Sequence, residues 1–102
     1  MPTYLTPKIE SFLSEKNSDT IAACLLIKDP SIDNYNEKNK AIAQKNMEEV
    51  EAELKKLKIN YSRVNRAKMF FVELNYQNLL KLKNNKLIYS IENSKKDFAY
   101  KP

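Results

Sequence analysis

Met69-Phe70-Phe71-Val72-Glu73-Leu74 decides the fold. The run is apolar on nearly both faces, which suits a strand in the interior of a sheet, because a strand with one wet face alternates apolar with polar. It leads into Asn75, a good helix cap, and then into a short helical pattern over 75–83 whose buried side is Leu79, Leu80 and Leu82. Asn84-Asn85 offers a stop, because asparagine tolerates the left-handed backbone that glycine otherwise provides. Leu87-Ile88-Tyr89-Ser90-Ile91-Glu92 then reads as a strand of mixed polarity, suited to an edge. Strand, helix and strand in that order form one half of a βαββαβ unit.

The other half lies upstream. Residues 59–65 alternate Ile59, Tyr61 and Arg63 against Asn60, Ser62 and Val64, a half-polar strand fit for an edge. Before it, Ala43, Met47, Val50, Leu54 and Leu57 recur at three- and four-residue steps and predict a long helix, with Ile42 widening its buried stripe. Lys45, Glu48, Glu49, Glu53 and Lys56 lie opposite and read as a solvated face. Ile21-Ala22-Ala23-Cys24-Leu25-Leu26-Ile27-Lys28 is apolar on both faces and reads as a second central strand, ended by Asp29-Pro30. Thr6-Pro7 pairs a hydroxyl cap with proline at the first helical position, and Ile9, Phe12 and Leu13 follow at helical spacing over 7–15.

Two apolar strands, two half-polar strands and two intervening helices predict an α+β chain of ferredoxin-like βαββαβ type. The expected sheet is four-stranded and antiparallel, with two helices on one face and a short N-terminal helix added. The chain divides into an N-terminal helical extension (1–19), the ferredoxin-like domain (20–92) and an extended C-terminal tail (93–102). If Phe70, Val72 and Leu74 point to the helices, then Cys24, Leu26, Met69 and Phe71 share the other face. That face is too apolar to be simply wet, so either the N-terminal helix covers it or another protein does.

Composition narrows the function. At 102 residues there is room for one domain with a real core. The chain has no histidine, glycine or tryptophan and one cysteine, so the usual general base, the glycine-rich phosphate cradle and a soft metal site are missing. The expectation is a non-enzyme without metal or cofactor. Glu48, Glu49, Glu51 and Glu53 crowd one helical segment and suit a solvated face better than a catalytic pair. Cys24 sits in an apolar run with no cation beside it to favour a thiolate, which suits core packing. The net charge of +5 rests on scattered lysine with Arg63 and Arg66 as the arginines, a pattern of solubility rather than of nucleic-acid recognition. No apolar run approaches the ~20 residues that span a bilayer, and no secretory signal is visible. The default location is cytoplasmic, or secreted if the chain is a mature fragment.

Leu25-Leu26-Ile27-Lys28-Asp29 resembles the first strand of subtilisin propeptides and of the free-standing inhibitors related to them. FVELNYQNLLKLKNNKLIYSIE, from Phe71 to Glu92, is similar to their later pattern. That pattern is an apolar strand ending in Leu, a short helix packing through a leucine pair, a turn, and a closing strand ending in Val or Ile before Glu. The closing Ile91-Glu92 and its distance from Leu74 carry most of the resemblance, which spans roughly 21–92.

The resemblance implies a partner, a subtilisin-like serine protease that the domain inhibits or chaperones. It implies that the sheet face with Cys24, Leu26, Met69 and Phe71 docks on two surface helices of the enzyme, and that the tail lies in the substrate cleft. Such clefts bind extended chain and fill apolar pockets, so Asp97, Phe98, Ala99 and Tyr100 are the cleft-binding residues it implies. One register puts Tyr100 in the primary specificity pocket; another puts the terminal carboxylate in the active site. Family members often carry an acid between the second and third strands to cap the protease helices. This chain has Asn65-Arg66-Ala67-Lys68 there, which leaves Asn65 as the capping residue. The competing readings are a protein-interaction module that pairs its sheet faces in a homo-oligomer, and an RNA-binding domain. The RNA reading lacks both glycines of the RNA-recognition motif and a stacking aromatic in its first strand.

Overall fold

The computed structural model describes residues 3–16 and 18–94. Its elements are β1 (Tyr4–Leu5), α1 (Pro7–Ser14), β2 (Ile21–Ile27), α2 (Glu37–Lys56), β3 (Tyr61–Val64), β4 (Met69–Leu74), α3 (Tyr76–Leu82) and β5 (Ile88–Asn93). The strands form one mixed sheet of five, in the order β1-β5-β2-β4-β3. The expected sheet of four is therefore corrected. β1 adds a fifth strand, and it lies parallel to β5 while every other pairing is antiparallel.

β5 consequently lies inside the sheet rather than at its edge. Tyr4 pairs with Ser90 and Leu5 with Ile91. Two threonines fasten the new strand: Thr3 Oγ1 donates to the Ile88 carbonyl at 3.1 Å, and Thr6 Oγ1 donates to Asn93 Oδ1 at 3.0 Å. This occupation of Thr6 explains why its hydroxyl makes no cap bond to α1.

β2 and β4 hold central positions because they can bury both faces. Ala23, Leu25 and Ile27 alternate with Cys24 and Leu26, and Phe70, Val72 and Leu74 alternate with Met69 and Phe71. The first set of each strand is buried with Ile88 and Ile91 of β5 in the core. At about 1.5–3 kcal/mol per buried large apolar side chain, this layer holds the sheet to the helices. Phe70 also meets Tyr61 of β3 edge-to-face, with ring centres 5.7 Å apart.

All three helices lie on that side. α2 contributes Met47, Val50 and Leu54, α3 contributes Leu79 and Leu82, and α1 contributes Ile9 and Phe12. α1 packs against α3 and β5, so it shares the helical layer and does not cross the opposite sheet face. Asn46, 8% exposed, pins α2 to the end of β2 by donating from Nδ2 to the Lys28 carbonyl at 3.0 Å. Ile42 departs from the expected buried stripe; it is exposed at the rim of α2.

The helix ends show how a chain without glycine turns corners. Asn36 and Asn75 cap α2 and α3 by accepting from Asn39 and Asn78, both at 2.8 Å. α2 closes in a paired motif: the Ile59 N–H donates to Leu54 at 3.0 Å and the Lys58 N–H to Lys55 at 3.1 Å. The left-handed residue there is Lys58, with φ 58°, and Lys16 and Lys68 take similar angles of 47° and 51°. Asn84 and Asn85 do not use the left-handed region expected of them. Asn84 Nδ2 donates to the Leu80 carbonyl, and Asn85 Oδ1 accepts from the Leu87 N–H, so their side chains close α3 instead.

Candidate functional site

With the helices on one side, the opposite face of the sheet is the natural site. The strand register assembles it. Cys24 pairs with Phe71 and Leu26 with Met69, so the four residues that sequence placed on a docking face form two adjoining cross-strand pairs. Val64 and Ser62 of β3 extend the patch beside Met69 and Phe71, and Ser90 and Glu92 of β5 border it beside Leu26 and Cys24. Cys24, Leu26, Met69 and Phe71 are each half-buried, and no described helix lies across them. Ile32 and Tyr89 were not singled out from sequence as site residues, and Ile42 was expected in the buried stripe of α2. With Leu26 and Lys68 they line a groove of about 680 Å³ at the end of the sheet. Their exposure in the fold marks them, because Ile32 stands alone in a loop and Ile42 and Tyr89 belong to a helix and a strand whose patterns do not tell a rim position from a buried one.

The face has a definite electrostatic character. Burial first, and then the Glu92 carboxylate opposite, push the Cys24 thiol up to about 11. The thiol is thus a packing group and a poor nucleophile at neutral pH. Glu92 accepts from Ser90 Oγ at 3.1 Å, and Glu73, exposed at the far end of β4, accepts from Thr20 Oγ1 at 2.6 Å.

Asn65 sits in the exposed turn between β3 and β4. Its Oδ1 accepts from Arg63 Nε, and its carbonyl accepts from Lys68 Nζ at 2.9 Å. The oxygen wanted for capping a partner helix is therefore engaged within the turn. Asp97, Phe98, Ala99 and Tyr100, the cleft-binding residues implied by resemblance, lie outside the described residues.

A second cluster lies at the β3 edge on the helical side. Arg63 bridges to Glu48 at 3.0 Å and to Glu51, and Tyr61 donates to Glu51 Oε2 at 2.7 Å. Glu48 and Glu51 are thus not merely a solvated face; they tie α2 to the edge strand. The Tyr61 hydrogen bond, followed by Arg63, holds the Glu51 carboxyl below its usual range, and the same bond raises Tyr61 to about 12. Every charged group is already matched, so the cluster works as a brace.

No protein-family model, curated protein or solved structure matches the chain. Among the described residues, no helix is long and apolar enough to cross a membrane.

Proposed function

We propose that this chain is a ferredoxin-like, propeptide-like module that binds and inhibits, or chaperones, a subtilisin-like serine protease. The observation that carries the reading is the juxtaposition of Cys24–Phe71 and Leu26–Met69 on a sheet face that no described helix covers. Four of the strands, in the order β5-β2-β4-β3 and joined by α2 and α3, supply the arrangement that the family resemblance implies. A half-buried apolar patch of this kind suits protein contact.

In this mode the face provides affinity and the segment beyond Ser94 provides inhibition, with Phe98 and Tyr100 filling apolar pockets of the cleft. Binding to the native enzyme alone would also stabilise it by mass action, so inhibition and chaperoning share one physical cause. The chain itself acts without catalysis. The face carries the carboxylates of Glu73 and Glu92 as well as Lys28 and Lys68 at its end, a mixed surface rather than the basic one that RNA recognition favours.

The test is inhibition of a panel of subtilisin-like proteases by the intact chain, by a chain lacking residues 97–102, and by Leu26→Lys. Inhibition lost in both altered chains supports the proposal. Inhibition of no protease, or inhibition indifferent to both changes, overturns it.

A further inference from the structure

The groove at the end of the sheet is more than an apolar wall. Of the five large apolar residues that stand exposed among the described ones, three, Ile32, Ile42 and Tyr89, line this one hollow together with the half-buried Leu26. The three come from the loop after β2, the first half of α2 and β5, so the fold builds the groove rather than one exposed segment. Exposed apolar side chains scattered singly need no explanation. Their convergence on one concavity of about 680 Å³ does, since that is the size of a small-molecule site.

Asn46 lies in the wall of this groove and is 8% exposed. Its Nδ2 donates to the Lys28 carbonyl at 3.0 Å, which fixes the orientation of the amide, because the opposite one sets two oxygens against each other. Oδ1 accepts from no donor among the described residues, although an amide oxygen has room for two. Those residues contain no fully buried side-chain N or O atom without a partner, so Oδ1 is reached by solvent, and the groove is the hollow that Asn46 lines. A nearly buried amide thus presents an open acceptor to an apolar groove. Covering it with an apolar group is costly, and an N–H satisfies it. Lys28 and Lys68 belong to the same lining, half-buried and outside the ion pairs of the described residues. Lys68 Nζ donates to the Asn65 carbonyl, whereas the Lys28 ammonium bonds to no described residue. Of the two acids in the lining, Asp29 already accepts both donors of Ser31 and Asp33 is exposed to solvent, so the half-buried charge left open is positive.

We infer that the groove binds a small aromatic carboxylic acid bearing an N–H donor. The ring lies against Ile32, Ile42 and the exposed ring of Tyr89, the N–H donates to Asn46 Oδ1, and the carboxylate meets Lys28. This site goes beyond the protease reading and shares only Leu26 with the face proposed to dock on the enzyme, so its test uses no protease and stands or falls apart from that reading.

Indole-3-acetate combines the three groups. It is titrated into the full ¹⁵N-labelled chain and followed by NMR, beside 1-methylindole-3-acetate, which lacks the N–H, and indole-3-acetamide, which lacks the charge. Indole-3-acetate is expected to bind with a Kd of about 1 mM, as befits a ligand of its size, with shifts centred on Ile32, Ile42, Asn46, Lys68 and Tyr89. Methylation is expected to weaken binding about ten-fold, the loss of a hydrogen bond to a nearly buried oxygen, and the amide about three-fold, the size of a half-exposed charge pair. These comparisons alter the ligand, so no misfolded variant can mimic them. Ile42→Glu, at an exposed position of α2, should abolish the shifts and leave the rest of the spectrum in place. Absence of binding, shifts centred elsewhere, equal binding of either analogue, or binding that survives Ile42→Glu overturns the inference. So does a groove already filled: concentration-dependent shifts there without ligand would mark a second copy as its occupant, and shifts there on removing residues 97–102 would mark the chain's own tail.

Discussion

Phe70 and Phe71 follow one another in β4 and meet different surroundings. Phe70 faces the helices, fully buried against Tyr61 and the core; Phe71 faces the other way, half-buried beside Cys24. The same contrast divides the whole sheet. One face is closed by three helices and carries the fold's stability, while the other is an apolar surface bordered by carboxylates and, at its end, by lysines. Apolar content alone therefore does not tell a closed face from an open one. The layer packed over each face does.

The largest expected effect tests that division directly. Phe70→Ala should cost about 3–5 kcal/mol, because it empties a filled site. Phe71→Ala should cost about 1–2 kcal/mol, as expected of a half-buried ring. Urea unfolding of both variants measures the difference, and equal losses would erase the distinction between the faces.

The brace at the β3 edge comes next. Glu51→Gln should destabilise by about 1–2 kcal/mol near neutrality, because it weakens hydrogen bonds to a charged group. The folded carboxyl titrates below its usual range, so its contribution is complete above the ordinary carboxylate range and fades as pH falls through the lowered value. Tyr61 is raised from 10.0 to about 12, so its share is complete below 10.0 and is lost as pH rises toward 12. Unfolding curves for the parent and Glu51→Gln should converge at acid pH. A gap that stayed constant with pH would assign the cost to packing rather than to charge.

Lys58→Gly, remote from both faces, should stabilise by about 0.5–1 kcal/mol, since a side chain in the left-handed region is costly and glycine removes that cost. Thermal unfolding checks the sign. The smallest effect belongs to the open face: Glu92→Gln should change stability by less than about 0.5 kcal/mol, because its partner Ser90 is a weak one. A larger loss would mean that Glu92 serves the fold.

How much of this was legible in the sequence depended on periodicity. β2, β4 and α2 announce themselves through long apolar patterns, and Asn75 through its place before one. Alternation along β4 also separated Phe70, Val72 and Leu74 from Met69 and Phe71, so the residues that share the face away from the helices were readable before their neighbours were known. β1 was not readable. Two residues carry no period, and their partners lie more than eighty positions away in the chain. The link of Arg63 to Glu48 and Glu51 was hidden for a related reason, because only the packing of α2 over the sheet brings them together. Lysine at three left-handed positions defied local preference, since no propensity distinguishes Lys58 from the other lysines.

β1 has one more consequence, and it is mechanical. Because β1 and β5 run parallel as neighbours, a force drawn between Thr3 and Ser94 pulls the two strands along their length in opposite directions. The Thr3 and Thr6 hydroxyl bonds to Ile88 and Asn93 would then be strained together rather than one after another. Stretched from its ends, the domain is loaded in shear at this seam, and its lifetime under tension is set by how fast that short seam yields.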